Sequence, residues 1–445
     1  MAGGTWLSQN KVRPGAYINF KAVRKGSMTT GDRGIVAIPL ALSWGKEGEL
    51  IEVFSADLLN GDTQKAVGFT AFDPESKLLA GALSYCYKAL VYRTNAGGDK
   101  AEATVGNVKV TAKYSGTYGN KIILAITHDE ADGTWAFITY VDGQSVDKQV
   151  VTEAAELESN DYVDFAVLEG ELLETAGTPL QGGTDGEAEE STFFPAFLKK
   201  LELAKWQVMA CLSSTASVKA NVQSYIKRLR DDEGRYVQAV VADYDAADYE
   251  GIINSISGCV IDGVTFSKEE FVAVVAGMTA GANFNESNTA RKVTGATSIT
   301  NPLTDPQIKD ALLHGKFLLS TTSDGDVKVE QDINSLHTYT KDRDYNYSKN
   351  RVIRTLDEIG TTTVSTWEKT YMGKIDNNDE GRGLFKADLV QYGNELQRLS
   401  GIQEFAGPED ISVEQGRDLD AVLSTWHVKP VDSMEKLYMT VNTRS

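Results

Sequence analysis

The chain has 445 residues, 63 acidic against 44 basic, for a net charge of −19, a balance that argues against wrapping nucleic acid or docking on anionic lipid. Its length exceeds what one hydrophobic core serves, so about two to four domains are expected. The composition, 41% hydrophobic and 24% charged with 40 Gly and 9 Pro, excludes wholesale disorder. No apolar run approaches the ~20 residues of a membrane span, so no membrane insertion is expected. The opening MAGGTWLSQN lacks the basic, apolar and cleavage regions of a signal peptide, which predicts a cytoplasm-like compartment.

In chain order, GGTWLSQNKVRPGAYINFKAV begins as a polar arm carrying Trp6 and Leu7. After Pro14-Gly15, the alternation of Tyr17, Asn19 and Lys21 with Ile18 and Phe20 predicts a strand. RGIVAIPLALSWG predicts a second, more buried strand. Asp73-Pro74-Glu75 supplies an N-cap and a proline at the first helical position, opening a helix through about Tyr85, and KALVYRT returns as a strand. From about Thr94 to Thr178 the texture changes to short alternating runs. Asp132-Gly133 and Asp142-Gly143 are hairpin turn signals there, which predicts a small β domain. LQGGTDGEAEES closes it and reads as a linker.

Beyond the linker, a helix is expected over 192–205, then the buried strand WQVMACLSS, a helix from Val218 to Arg230 and the buried strand YVQAVVADY, a βαβ pattern. Ser267 to Glu270 forms a capping box before the helix FVAVVAGM, and KFLLSTTSDGDVKVEQDI is a hairpin turning at Asp324-Gly325. Because α/β texture precedes and follows the β stretch, the predicted fold class is α/β (α+β) and multidomain: a discontinuous α/β core domain with an inserted small β domain. Two amphipathic helices follow. In the second, Phe385, Leu389, Tyr392, Leu396 and Leu399 recur at three and four, with Gly401 as its stop.

The chain ends on VDSMEKLYMTVNTRS, tethered at Pro430. Leu437, Met439 and Val441 fall on one face of a predicted strand and Lys436, Tyr438 and Thr440 on the other. A strand with nothing after it to pair with needs a sheet. Its own subunit is the usual provider; a second copy, by strand addition, is the other.

Residues that could carry chemistry are sparse. Cys86, Cys211 and Cys259 are odd in number, lack CxxC spacing and sit in apolar runs, so buried thiols are expected rather than disulfides or a metal site. His128, His314, His337 and His427 show no metal-ligand spacing. DNNDEG from Asp376 begins like a calcium loop, but position five is Glu380 and position twelve is Ala387, where a bidentate Glu is needed. Gly277 to Gly281 mimics a nucleophile elbow with Thr279 for Ser; because helical residues precede it, a helix stop and a glycine loop are expected. His314-Gly315-Lys316 lacks the rest of a phosphate cradle. Asp243, Asp245 and Asp248, at a strand end, are the best hint of a cytosolic α/β enzyme, with a solvated loop as the plainer explanation. SKNRVIR places Lys349, Arg351 and Arg354 at a helix start, after Lys341 and Arg343. A solvated face accounts for them, or a basic patch that meets an acidic partner.

The segments GGTWLSQNKVRPGAYINFKAV, AKYSGTYGNKI, LQGGTDG, GMTAGANFNESNT and STWHVKPVDSMEKLYMTVN, in this order along essentially the whole chain, resemble the tail sheath proteins of contractile phage tails. The likeness is greatest to those of Gram-positive myophages, PBSX-like prophages and R-type bacteriocins. The resemblance implies a structural subunit without catalysis or cofactor, assembled in the bacterial host cytoplasm into a virion or phage-tail-like particle. Its implied partners are other copies in stacked six-fold rings, an inner tail tube protein, and baseplate and tail terminator proteins. It further implies nucleotide-free contraction and N- and C-terminal strand-donating arms. Those arms would be Trp6, Tyr17, Ile18 and Phe20 at the front and Leu437, Tyr438, Met439 and Val441 at the back. Lys349, Arg351 and Arg354 would lie on a tube-facing patch. The expected divisions are 1–22 (arm and first strand), 23–93 (core, first part), 94–180 (inserted β domain), 181–191 (linker), 192–340 (core, second part), 341–427 (tube-facing subdomain) and 428–445 (C-terminal arm).

Overall fold

The computed structural model describes residues 33–443 and the backbone of two short strands, Ala2–Gly4 and Gly15–Tyr17, which pair in parallel with Gly3 opposite Ala16. The strand expected after Pro14-Gly15 is thus present as far as Tyr17, while Trp6, Ile18 and Phe20 lie outside the described residues.

A seven-stranded sheet organises the body. Its order is Lys316–Phe317, Ile252–Ser255, Gln238–Ala242, Val208–Cys211, Ile35–Leu40, Lys88–Arg93 and Leu50–Phe54. Every neighbouring pair is parallel except the last. The inner strands are continuous apolar runs because both faces are covered, as parallel sheets require. The helices Lys77–Leu83 and Lys268–Gly281 pack on one face. The helices Glu190–Leu201 and Ala216–Lys227 pack on the other. Ile35–Leu40 pairs with both Lys88–Arg93 and Val208–Cys211, so the chain leaves this sheet after Arg93 and re-enters it more than a hundred residues later.

The helix Lys268–Gly281 begins at the expected capping box: the Glu270 amide donates to Ser267 Oγ at 3.2 Å, and the Ser267 amide donates to Glu270 Oε2 at 2.8 Å. Its glycines are not a stop followed by a loop. The helix runs through Gly277 to Gly281, with every residue from Phe271 to Ala280 buried. A Cβ at Gly277 would lie 2.2 Å from the Ala82 carbonyl oxygen, and one at Gly281 1.8 Å from that of Tyr85. These glycines let the end of the crossing helix Lys77–Leu83 approach backbone to backbone. Gly277→Ala is therefore expected to destabilise the chain by about 1–3 kcal/mol through overpacking, read as a lower urea midpoint at unchanged slope.

Residues excluded from the central sheet form a β sandwich. One sheet orders Gln144–Val151, Thr134–Val141, Ile122–Asp129 and Thr175–Pro179; the other orders Val163–Val167, Val108–Ala112 and Glu102–Val105. Both expected hairpin turns are present, at Asp132-Gly133 and Asp142-Gly143. The sandwich is locked to the body. Trp44 is fully buried among Tyr114, Tyr118 and Tyr162, with ring centroids 5.1–6.2 Å apart. The buried Arg93 guanidinium donates to the carbonyls of Gly45 (3.0 Å) and Ser115 (2.9 Å). The segment read as a linker is also docked: the Asp185 carboxylate accepts from the Thr117 amide at 2.9 Å, and Asn120 exchanges hydrogen bonds with the Gly183 backbone at 2.8 and 2.9 Å. Its glycines permit close approach rather than looseness, since a Cβ at Gly186 would meet the Ala96 oxygen at 2.0 Å.

The two C-terminal helices are Asn350–Thr366 and Asp379–Arg398. Asn378, in the segment that begins like a calcium loop, caps the second: its Oδ1 accepts from the Gly381 amide at 2.8 Å. The left-handed residue after this helix is Ser400 (φ 59°), not Gly401. Gly401 is needed for a different reason, because a Cβ there would lie 2.5 Å from the Phe284 ring.

Candidate assembly interface at the C-terminal segment

Beyond the second C-terminal helix the chain makes an antiparallel hairpin, Ile411–Gln415 with Val422–Trp426. Its inner face packs on that helix through Ile411 against Phe385 and Leu389 and through Trp426 against Tyr392, while Trp426 also meets Phe405 from the segment after the helix, with centroids 6.0 and 6.1 Å apart. Among the described residues neither strand of this hairpin pairs with any other strand. A two-stranded sheet with both edges open is marginal by itself and receptive to a third strand.

The chain then runs back along the body. The Gln403 amide donates to the Lys429 carbonyl and the Val431 amide to that of Gly401, both at 2.9 Å, with Ile402 bridged to Pro430. The contact continues past the expected hinge at Pro430. Glu435 is held by the Lys349 ammonium, by Thr289 Oγ1 donating at 2.7 Å and by Gln331 Nε2 donating at 2.6 Å, while Asp432 lies 3.6 Å from the same ammonium. Burial alone pushes the Glu435 carboxyl up, but hydrogen bonds from Lys349, Gln331 and Thr289 hold it below the usual carboxylate range.

Past Glu435 the internal-sheet reading fails. No described residue from 431 to 443 belongs to a strand. Leu437 is 84% exposed, Tyr438 90%, and Met439 and Val441 72% each. Four large apolar or aromatic side chains within five residues therefore stand exposed in the single chain.

The basic patch is also corrected. Lys349 is nearly buried against Glu435, and Arg354 is wholly buried against Asp332, which its Nη2 meets at 2.6 Å. Arg351 is half-buried, with Nη2 3.3 Å from the Ser400 carbonyl, and desolvation lowers its pKa. Two of the three cations are consumed inside the subunit, so they form no solvated face. Sequence reasoning missed the carboxylates that consume them. A signal existed for Glu435: strand alternation puts it on the same face as Leu437, Met439 and Val441, an acid out of place on an apolar face. Asp332 offered none.

The three aspartates of the enzyme reading do not converge. Asp243 pairs with Lys268, Asp245 with Lys316 at 2.6 Å, and Asp248 accepts from the His337 and Thr338 amides at 2.9 and 3.2 Å. Desolvation raises the buried thiols, Cys86 to about 12 and Cys211 and Cys259 to about 11, which leaves them protonated at neutral pH. Among the described residues no group of three metal-ligating side chains converges, and no helix is long and apolar enough to cross a membrane.

The chain thus carries a sandwich added to its body, a hairpin with both edges open among the described residues, and an exposed apolar tail. Comparison with known proteins makes this specific. Residues 96–185 match the phage tail sheath protein beta-sandwich domain, 187–335 the phage tail sheath protein central domain, and 342–444 the phage tail sheath C-terminal domain. The phage-like element PBSX protein XkdK of Bacillus subtilis (strain 168) is 35% identical over 470 residues, covering 99% of each chain. The crystal structure of the sheath tail protein from Desulfitobacterium hafniense is 40% identical and superposes with a TM-score of 0.82, over 96% of this chain and 99% of that one. The fold alone is shared with the anti-feeding prophage helical sheath in its contracted state, at 10% identity and a TM-score of 0.58, over 97% and 99% of the two chains. The chain belongs to the phage tail sheath proteins, and its place is in the tail of a phage or phage-like particle.

Proposed function

We propose that this chain is a non-catalytic subunit that polymerises as stacked six-fold rings around an inner tail tube, linked by terminal strands donated between neighbours. On release the sleeve shortens without nucleotide and drives the tube through a cell envelope. The observation that carries the reading is that the same chain has an exposed run, Leu437–Val441, and a hairpin whose edges are open among the described residues. Ordering eight arm residues costs about 8–16 kcal/mol. Each main-chain hydrogen bond returns about 0.5–1.5 kcal/mol, and burying each of Leu437, Met439 and Val441 about 1.5–3 kcal/mol. One docked arm is therefore near balance, and durability comes from many arms held beside their acceptors at high effective concentration.

The divisions 23–93 with 192–340 as body, 94–180 as added domain, 341–427 facing the tube and 428–445 as arm fit this arrangement. So do a tail tube protein, baseplate and terminator as partners, and assembly in the host cytoplasm. The front arm would contribute Trp6, Tyr17, Ile18 and Phe20. Of Lys349, Arg351 and Arg354, Arg351 is the one that keeps exposure with which to meet the tube.

Negative-stain microscopy of the purified chain is expected to show long sleeves, and heat or mild denaturant to shorten them without ATP. Small, defined oligomers or an absolute requirement for ATP would overturn the reading.

A further inference from the structure

The exposure of the C-terminal segment switches abruptly at one residue. Met434 is fully exposed and Leu437 nearly so, yet between them the Glu435 side chain is only 10% exposed. A carboxylate enters such a place only if its partners replace water, and here they come from several separate parts of the chain. Lys349 precedes the helix Asn350–Thr366, Gln331 follows the hairpin strand Val327–Val329, and Thr289 lies in the loop after the helix Lys268–Gly281. The other charged groups nearby are Asp432, which shares Lys349 and faces Arg351, and Lys436, whose ammonium lies with that of Lys349 at 5.9 Å from the Tyr345 ring.

The contact also reaches inward. Thr289 Oγ1 donates to Glu435 and accepts from the Asp332 amide at 2.9 Å, and the Asp332 carboxylate is the buried partner of Arg354. A chain of polar contacts therefore runs from the last anchored residue of the segment into the buried ion pair.

We propose that the Glu435 carboxylate is a charge pin that fixes where the C-terminal segment leaves the body. The free arm then begins at Lys436, and a pull on it is passed through Thr289 to the Asp332–Arg354 pair. The arm reading above supplies only what does the pulling; the pin is a property of the isolated chain. It sets the free length at Lys436 onward, shorter than a hinge at Pro430 would allow, because residues 431–435 travel with the body. The pin is charged above the ordinary carboxylate range and is lost as pH falls below it, since folding holds this group low.

Amide hydrogen exchange on the full-length chain tests this without any sleeve. Glu435→Gln keeps shape and amide hydrogen bonding but removes the charge. At neutral pH it is expected to speed exchange of the peptide 429–436, including the Val431 amide bonded to Gly401, by about 10- to 100-fold, with the helix Lys268–Gly281 unchanged. Glu435→Asp should recover part of the protection. Acid should bring the wild-type chain to the Glu435→Gln rate while the helix Lys268–Gly281 keeps its protection, after correction for intrinsic exchange. Wild-type protection of 429–436 in Glu435→Gln, or faster exchange throughout the molecule, overturns the pin. Failure of the protein to build sleeves while this peptide responds as described overturns the arm reading and leaves the pin standing.

Discussion

A chain ending at Glu435 is expected to fold with wild-type stability and to build no sleeves at all. The residues removed begin at Lys436, and Leu437, Tyr438, Met439 and Val441 are exposed in the subunit, so the unfolding midpoint should move by no more than about 0.5 kcal/mol in equivalent stability. Assembly loses its link in every subunit at once. A chain ending at Val431 behaves differently. It also removes Asp432 and Glu435, leaving the nearly buried Lys349 ammonium without a counter-charge, a break that costs about 3–5 kcal/mol in comparable buried pairs. Urea unfolding of the two truncations, read beside negative-stain images, separates arm from root. Normal sleeves from the chain ending at Glu435 would end the strand-donation model.

A stability effect of the same size is expected at Asp332. Its carboxylate accepts from Arg354 Nη2 at 2.6 Å, the Asn288 amide at 2.9 Å and Asn350 Nδ2 at 3.0 Å, and both it and Arg354 have fully buried side chains. Asp332→Ala strands the guanidinium, with only the Glu286 carbonyl left as hydrogen-bond acceptor among the described residues, and should cost about 3–5 kcal/mol in denaturant titrations. The damage would span the junction of two matched regions, since Asp332 falls in the central-domain match and Arg354 in the C-terminal one. Burial pushes the Asp332 carboxyl up, but Arg354, the Asn288 amide and Asn350 bring it below the ordinary value of about 3.9. Its stabilisation is therefore complete above that value and lost as pH falls through the lower folded value. Wild-type stability should drop as the pH falls below the ordinary carboxylate value of about 4, and Asp332→Asn should flatten that slope. An identical acid profile in Asp332→Asn would remove Asp332 as the source.

Much of the fold was legible because its signals are local. The Ser267 to Glu270 capping box, the turns at Asp132-Gly133, Asp142-Gly143 and Asp324-Gly325, and the buried strands around Val208 and Val240 depend on neighbours a few residues apart. Readings failed where a residue's meaning lay in a distant partner. Gly277 reads as a stop until Ala82 is seen against it, and the cluster at Lys349 reads as a solvated face until Glu435 and Asp332 are seen to neutralise it.

By itself, then, the sequence determined most strands and helices of the body, that an α/β body is interrupted by a β domain, and that the tail carries alternating apolar residues, although the strand expected there does not form within the subunit. These follow from short-range sterics, capping and side-chain periodicity, which act before the chain is compact. Only the tertiary structure decided that this tail is anchored at Glu435 and exposed beyond it, and that Lys349 and Arg354 serve the interior. Charge placement and close backbone approach depend on groups far apart in sequence, and in a low-dielectric interior a single distant carboxylate turns a surface cation into a buried pair.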